Sequence, residues 1–293
     1  MNTQAINTTP RVLPIPPAEW CTWAKSEGLR LYAVIDESSE RKPRWVRARD
    51  AREINLFADR TQDPQALAIA PRLREIAHDE PAQTRLLRLL AEQSAEQPDA
   101  FLIAATLDID ELAQRLVRRF DVNADGMEML LRLWDARVFG NLRQGLDAKN
   151  ADLVLALGVQ ALVPDRRGAY LPMELCEPEQ DPASSVSVVL SAEETDALVE
   201  LAQPDAVLAI LRDLDPKLLQ KVPDSERFAL AFRQVEECLS RGLDTSRDQA
   251  LALGLSIEHG PQWWQAPEWQ QCVGQAGEAG LVAAYCKRME ALA

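Results

Sequence analysis

The sequence predicts an α/β (α+β) N-terminal lobe, with a mixed sheet flanked by helices, and an all-α C-terminal lobe. Two short and mostly apolar runs, Leu29–Asp36 and Phe101–Thr106, are typical of buried strands. From about Pro178 the strand patterns give way to a succession of helical ones. The charge divides similarly: residues 1–176 carry 23 basic and 26 acidic side chains, whereas residues 177–293 carry 9 and 20. This asymmetry favours two lobes with different surfaces.

These patterns divide the chain into three predicted segments. Residues 1–28 are predicted to form an N-terminal arm, because the first 17 residues are polar and end in the proline-rich sequence LPIPP. The α/β lobe is predicted over residues 29–176, and the helical lobe over residues 177–293.

Two helices are predicted in the α/β lobe. The first begins near Pro81, a residue suited to the first turn of a helix, and carries four leucines within residues 86–90. The second follows the strand at Phe101–Thr106, where Asp108 and Glu111 stand three residues apart and can each bond an exposed amide of the first turn. In the segment ELAQRLVRRF, the apolar residues fall on one helical face and the arginines largely off it.

The next apolar segment, MEMLLRLWD over residues 127–135, alternates as a third strand, which would place Arg132 and Trp134 on one face. Before it lies DVNADG, residues 121–126, which fits the opening of an EF-hand calcium loop. Such a loop closes with a bidentate carboxylate at its twelfth position, which is Arg132 in this chain. We therefore interpret DVNADG as the turn between the second helix and the third strand.

We predict that Ca²⁺ neither binds to this protein nor stabilises it, because a cation occupies the position of the closing ligand. Titration calorimetry should detect no binding at micromolar Ca²⁺, and the melting temperature should not change when Ca²⁺ is added. Micromolar affinity that disappears in the Asp121→Ala variant would contradict this prediction.

The C-terminal lobe is predicted to begin after a short strand, VSVVL at residues 186–190. Ser191 and Glu194 repeat the capping spacing and open the first helix of this lobe. Pro204 is predicted to end that helix and to begin the next, since proline removes a backbone donor from a helix interior.

The remainder of this lobe contains further helical patterns without a fixed repeat period. Asp224 or Ser225 is expected to cap the helix ERFALAFRQVEECLSR, which Gly242 can end. SRDQALALGL and AGLVAAYCKRMEAL complete a run of five or six helices. An irregular helical lobe is therefore predicted rather than a solenoid.

Composition argues against several classes of function. The formal net charge of −14 leaves no excess of Lys and Arg to neutralise phosphates, so no nucleic-acid partner is expected. No run approaches the ~20 apolar residues of a membrane span, and no signal peptide is recognisable. The five cysteines are scattered and never form a CxxC pair, so neither a metal site nor a disulfide framework is predicted. We expect a cytoplasmic protein with reduced thiols, no membrane partner and no cofactor.

No catalytic residues can be named from the sequence. His78 and His259 are the only histidines, and each lacks the neighbours of a metal or triad motif, so surface or capping roles are expected. No GxSxG, Walker or GxGxxG motif follows a strand. Carboxylates are abundant, which leaves open a hydrolase or transferase that uses dispersed acids. Such an enzyme would need a deep pocket with two or more acids of perturbed pKa.

One candidate partner-binding cluster comprises Arg132, Trp134, Asp135 and Arg137 of LLRLWDARVF. These residues form either a charge network that fixes the end of a strand or a recognition surface. If the network is structural and buried, removing one partner costs about 3–5 kcal/mol, and Asp135→Ala should lower the melting temperature.

A second candidate cluster is the segment QWWQAPEWQQ at residues 262–271, which holds Trp263, Trp264 and Trp269. Three tryptophans in one short segment form either a core plug or an exposed anchor for a partner. We predict that at least one of the three is solvent-accessible before a partner binds.

Five segments of the N-terminal lobe also carry a resemblance, in a fixed order along residues 29–163. They are LYAVID (31–36), LFADRTQDPQALAIAPRLREI (56–76), FLIAATLDIDELAQRLVRRF (101–120), LLRLWDARVF (130–139) and LGVQAL (157–162). In this order they resemble the effector chaperones, or adaptors, of bacterial type VI secretion. Ala136 stands where the commonest form of the family's signature has proline, and Trp134 stands where tyrosine is usual.

The resemblance implies a non-enzymatic protein that binds a toxic effector in the cytoplasm and helps load it onto the VgrG spike. It implies two protein partners, the effector and VgrG. Two alternatives remain open: a hydrolase that uses dispersed carboxylates, and a regulatory protein–protein scaffold unrelated to secretion.

Overall fold

A computed structural model describes most of the chain, with side chains of the last helix described through residue 287. The described residues are 13–38, 52–267, 269–270 and 280–292. The chain separates by its contacts into two compact units: unit 1 comprises Met1–Gln93 and Gln97–Thr195, and unit 2 comprises Ser94–Glu96 and Asp196–Ala293. The predicted fold class is confirmed, since the N-terminal half contains sheets flanked by helices and the C-terminal region is helical.

Unit 1 contains a six-stranded antiparallel sheet. Its strands are β1 Arg30–Ile35, β2 Glu53–Asn55, β3 Arg72–Ile76, β4 Ala100–Ala105, β7 Gln160–Pro164 and β8 Tyr170–Glu174. They lie in the order β2-β3-β1-β4-β7-β8. The neighbouring strands β1 and β4 are buried almost throughout, which confirms the two buried strands that were predicted from their apolar runs.

A separate three-stranded sheet contains β5 Asp121–Ala124, β6 Met127–Leu130 and β9 Val188–Leu190. Strand β5 lies in the middle, antiparallel to β6 and parallel to β9. Asp125 and Gly126 join β5 to β6 with φ angles of 51° and 79°, the left-handed values that a two-residue hairpin requires. Only Asp125 and Gly126 of DVNADG form a turn, and this turn joins two strands rather than a helix and a strand. The interpretation of the segment as a turn is wrong for Asp121–Ala124, which form β5.

The predicted strand over residues 127–135 is wrong beyond Leu130. The amide of Leu131 still donates to the carbonyl of Phe120, at 2.7 Å, but the amide of Leu133 donates to the carbonyl of Leu131. That local bond turns the chain away from β5 and toward the next helix. Arg132 and Trp134 therefore do not share a strand face.

The helices of unit 1 are short and flank the sheets. They are α1 Pro17–Ser26, α2 Pro64–Ala68, α3 Glu80–Ala91, α4 Ile109–Arg118, α5 Ala136–Gly145, α6 Ala148–Val154 and the 3₁₀ helix Pro182–Ser184. Residues 1–12 of the predicted arm lie outside the described residues. The later part of that arm is α1, whose Trp20, Cys21 and Ala24 are buried against β1 and β4 residues of the core.

Helix α4 begins as predicted and differs from the prediction along its length. The carboxylate of Asp108 accepts a hydrogen bond from the amide of Glu111, as expected of a cap. Glu111 itself accepts from Arg115 at 2.7 Å. The expectation that the arginines lie off the buried face is wrong for Arg115 and Arg119, whose side chains have no exposed surface. Arg119 is held inside by an ion pair with Asp181.

The described part of unit 2 is helical. Its elements are α7 Ala192–Leu214, which begins in unit 1, α8 Pro216–Leu219, α9 Asp224–Ser240, α10 Ser246–His259, the 3₁₀ helix Trp263–Gln265 and α11 Gly280–Leu292. Ser191 and Glu194 bond each other's amides, at 3.1 and 2.8 Å, which confirms the reciprocal cap of α7. No helix in the described part of the chain combines the length and the apolar character needed to cross a membrane.

Two predicted boundaries in this region are wrong. Helix α7 continues through Pro204, because Val207, Leu208 and Leu211 on its far side are buried in a hydrophobic cluster that outweighs one missing amide donor. Asp224 does not cap α9, which has no side-chain cap. Its carboxylate is engaged instead by the backbone of Ala95, at 2.7 Å. The end of α9 near Gly242, which has a φ of 74°, was predicted correctly.

Candidate functional site

The first predicted cluster lies at the start of α5, in unit 1. Asp135 is the N-cap of this helix, and its Oδ1 accepts a hydrogen bond from the amide of Arg137 at 3.0 Å. The side chain of Arg137 donates two more, from Nε to Oδ1 at 2.9 Å and from Nη2 to Oδ2 at 2.7 Å. One buried carboxylate therefore fixes both the beginning of the helix and the position of the Arg137 guanidinium.

Arg132 extends this cluster to the end of β1. Its Nη2 lies 3.4 Å from Oδ2 of Asp36 and 3.5 Å from Oδ2 of Asp135. The side chains of Asp36 and Asp135 are 11% and 4% exposed, whereas that of Arg132 is 46% exposed. The other oxygen of Asp36 accepts from the amide and the hydroxyl of Ser38. Arg132 thus bridges two buried carboxylates while its outer side faces water.

Trp134 has a different role from its charged neighbours, since it is 6% exposed and lies in an aromatic cluster. Its ring meets those of Phe57 and Phe120 edge-on, with centroids 5.2 and 4.9 Å away. The guanidinium carbon of Arg132 lies 5.9 Å from the Trp134 centroid. These three aromatic rings pack beneath the charge cluster, which consists of Asp36, Arg132, Asp135 and Arg137. Their packing holds the connection between β6 and α5 in place.

Charge and burial act in opposite directions on Asp135. Burial raises the pKa of its carboxyl, but the hydrogen bonds and positive charge of Arg137, together with Arg132, outweigh burial and hold the pKa below its usual range. A depressed pKa in the folded state contributes stability above the unfolded pKa, and that contribution is lost as pH falls toward the folded pKa. The cluster is therefore built around an ionised carboxylate.

We expect Asp135→Ala to lower the free energy of unfolding by about 2–3 kcal/mol, because it removes a helix cap and the charge-assisted bonds to Arg137. The loss stays below that of a fully enclosed pair, because both arginines reach water. Asp135→Asn, which can still cap the helix, should lose less. Urea unfolding of the two variants measures the difference, and an unchanged stability of Asp135→Ala would contradict this structural role.

The second predicted cluster is buried in unit 2. Trp263, Trp264 and Trp269 are 2%, 6% and 9% exposed. Trp263 stacks on Trp264 with centroids 4.0 Å apart, and Trp269 stacks on Tyr285 of α11. The prediction that at least one of these tryptophans is solvent-accessible is therefore wrong. The 3₁₀ turn at Trp263–Gln265 folds the rings into the core formed with α10 and α11.

A surface groove of about 540 Å³ lies in unit 1, against α1, α3 and β8. Its lining is apolar, with Ile15, Leu87, Leu90 and several prolines, and includes no carboxylate or cation. The hydroxyl of Tyr170 in this wall donates to the carbonyl of Leu90 at 2.8 Å. Among the side chains that the structure describes, no group of three or more His, Cys, Asp or Glu residues could hold a metal ion. This groove thus lacks the paired acids that a hydrolase would require.

The charge cluster lies in a part of the chain that matches a known protein family. Residues 31–152 match the family described as Domain of unknown function (DUF4123). The match covers less than half of the chain, from β1 into α6, and includes Asp36 together with all four residues of the first predicted cluster. DUF4123 is known as an adaptor domain associated with type VI secretion effectors, which agrees with the resemblance at this coarse level. No match was found among curated proteins or among solved structures.

The segment that matches DUF4123 also contains cluster residues that the sequence pattern did not indicate. Asp36 and Phe57 lie far along the chain from Arg132, whereas Phe120 lies just before the β5–β6 hairpin. All three reach the cluster through the fold. For Asp36 a signal was present, since an aspartate at the end of a buried strand is a polar residue at the edge of the core. For the two phenylalanines no chain-local signal distinguishes this site from any other core position.

Proposed function

We propose that this protein is a non-enzymatic adaptor that binds a type VI secretion effector in the cytoplasm and helps load it onto the VgrG spike. The match of residues 31–152 to DUF4123 carries the proposal, because that family is associated with type VI secretion as an adaptor domain. The geometry of the matched segment supports it. The charged residues of the cluster are paired with one another as a framework, rather than directed into a pocket as reactive groups.

The charge of the chain supports a protein partner of a particular kind. Residues 177–293 carry 20 acidic and 9 basic side chains, so this part of the molecule favours a partner with a basic surface. Electrostatic attraction of this type raises the rate of association and depends on ionic strength. Binding of the effector should accordingly weaken as the salt concentration rises.

The proposal is tested by affinity purification of the tagged full-length protein from its native cell, with mass spectrometry of what co-purifies. We expect a toxin-type effector and VgrG among the captured proteins. Deletion of this protein should reduce secretion of that effector and leave secretion of the apparatus's own tube protein unchanged. Capture of no secretion component, or normal effector secretion in the deletion strain, would overturn the proposal in favour of an unrelated scaffold.

A further inference from the structure

Strand β6, Met127–Leu130, is an open edge of the three-stranded sheet in unit 1. It pairs with β5 on one side, and no strand among the described residues lies on its other side. All four of its residues are exposed. Natural proteins usually protect such an edge by a short strand, charged residues, proline or a bulge, because unpaired backbone groups there can bind another strand. The four-residue strand MEML contains neither lysine nor proline, and Glu128 is its only charged residue.

The register identifies which backbone groups of β6 are available. The amide of Leu131 donates to Phe120, directly beyond the strand, so Leu131 is bonded toward β5. In an antiparallel pair, bonded and non-bonded positions alternate, so Met129 and Met127 also face β5. The N–H and C=O groups of Glu128 and Leu130 consequently point toward the open edge.

The two faces of β6 differ in chemistry. Met127 and Met129 are opposite Ala124 and Val122, which are buried, and so they extend the apolar face of the sheet to its edge. Both methionines are nevertheless uncovered, at 64% and 44% exposure. On the opposite face stand Glu128 and the 47%-exposed Leu130. Flexible methionines at an apolar surface suit binding to partner side chains of varied shape.

The charge beside this edge is negative and unneutralised. Glu128 and Asp125 are exposed, and neither has an ion-pair partner within the part of the chain that the structure describes. Asp121, at the other end of the hairpin, is already paired with Arg60, whose two Nη atoms donate to its two oxygens at 2.8 and 2.5 Å. The open edge therefore favours a cationic occupant.

We propose that β6 binds an extended segment of a partner protein by strand addition, and that this segment alternates apolar and basic residues. Its apolar side chains cover Met127 and Met129, its basic side chains lie opposite Glu128, and its backbone bonds the free groups of Glu128 and Leu130. That this segment belongs to the effector rests on the proposed function. The strand-binding property itself follows from the edge, its exposure and its charge.

A second copy of this chain is a poorer occupant of the edge. Pairing of two β6 strands brings two copies of Glu128 and Asp125 together, and like charges across a strand pair oppose association. A basic segment is instead attracted to the same carboxylates.

A synthetic peptide of alternating valine and lysine is the probe. Added to the isotope-labelled full-length protein, it should slow amide hydrogen exchange at Glu128 and Leu130, as measured by NMR, and leave exchange at Met127 and Met129 little changed. A matched peptide of alternating valine and glutamate should give no such protection. Absence of protection with the lysine peptide, or equal protection with both peptides, would overturn the proposal.

Two substitutions at one position separate backbone docking from charge. Glu128→Ala and Glu128→Pro both remove the carboxylate, but only proline also removes the outward N–H, and proline is tolerated at such edge positions. We expect Glu128→Pro to bind the lysine peptide about tenfold more weakly than Glu128→Ala, with both variants showing the wild-type melting temperature. Equal binding by the two variants contradicts strand addition. Dimerisation of the wild type that Glu128→Pro abolishes would assign the edge to a second copy instead.

The same variants distinguish this proposal from the proposed function. If an effector co-purifies with the wild type and equally well with Glu128→Pro, strand addition is not the mode of capture, and the adaptor role stands. If no effector co-purifies while the lysine peptide still protects Glu128 and Leu130, the adaptor role fails and the strand-binding edge stands.

Discussion

Asp181→Asn should lower the free energy of unfolding by about 3–5 kcal/mol, because it breaks a buried ion pair and leaves one charge behind. Oδ1 of Asp181 accepts from Nη2 of Arg119 at 2.5 Å, and Oδ2 accepts from Nη1 of Arg118 at 2.9 Å. The Arg119 side chain has no exposed surface, so without Asp181 its guanidinium would remain charged in the interior. Urea unfolding monitored by circular dichroism measures the loss.

Two controls separate burial from charge in this experiment. Asp110→Asn removes a carboxylate that pairs with Arg52 on the surface, where both side chains are more than half exposed, and it should cost less than about 1 kcal/mol. The double variant Asp181→Leu with Arg119→Met removes both buried charges and should be more stable than Asp181→Asn. Equal losses for the Asp110 and Asp181 variants would contradict a special cost of burial.

The same pair predicts a dependence on pH. Burial raises the pKa of Asp181, but the hydrogen bonds from Arg119 and Arg118 outweigh burial and hold the pKa below its usual range. The stabilisation is therefore fully present above the unfolded pKa of about 4 and is lost as pH falls below it. We expect the stability difference between the wild type and Asp181→Asn to shrink as pH is lowered through this range. A stability difference between the two proteins that stays constant down to the folded pKa would contradict a lowered pKa of Asp181 in the folded state.

Trp263→Ala should destabilise unit 2 by about 3–5 kcal/mol, since it removes the largest type of side chain from a packed core. Trp263 is 2% exposed, stacks on Trp264 and meets Trp269 edge-on with centroids 5.7 Å apart. Its removal therefore deprives two further rings of their contacts. Chemical unfolding should show the loss directly.

Phe232→Ala is the matched control for Trp263→Ala within the same unit. Phe232 lies on α9 and is 45% exposed, so its removal should cost less than about 1 kcal/mol. A Trp263→Ala variant that keeps its stability and loses co-purification with the effector would restore the interpretation of this segment as a binding anchor. If the Trp263→Ala variant keeps both its stability and its co-purification with the effector, Trp263 contributes less packing energy than its burial indicates.

Several elements were predictable because their causes lie within a few residues of one another. The apolar runs that became β1 and β4 are short and uninterrupted, as is required of strands buried on both faces. Ser191 and Glu194 formed their reciprocal cap because both partners belong to one helical turn. The turn at Asp125 and Gly126 is similarly local, since only residues that accept positive φ fit it, but the strand β5 that precedes the turn was not predicted.

The candidate site was predictable only in part, because some of its residues are neighbours in the chain and others are not. Arg132, Trp134, Asp135 and Arg137 were recognised together because they are neighbours in the chain. Asp36, which accepts from Arg132 across a separation of 96 residues, could not be assigned to them from spacing or periodicity. The resemblance to type VI secretion adaptors supplied the functional hypothesis, and the DUF4123 match supports it at a coarse level.

Local patterns in the chain thus determined the fold class, the central strands β1 and β4, and the starts of α3, α4 and α7, because hydrogen-bonding caps and hydrophobic periodicity act over one or two turns. Which of the tryptophans and arginines are buried was decided only by the tertiary structure. The prediction that at least one tryptophan of residues 262–271 is accessible, and the expectation that Arg115 and Arg119 lie off the buried face, were wrong for this reason. Whether a tryptophan plugs a core or an arginine enters it depends on which distant surfaces meet it, here α11 for Trp269 and Asp181, 62 residues away, for Arg119. Those long-range contacts supply the free energy that overrides the local preference of each side chain.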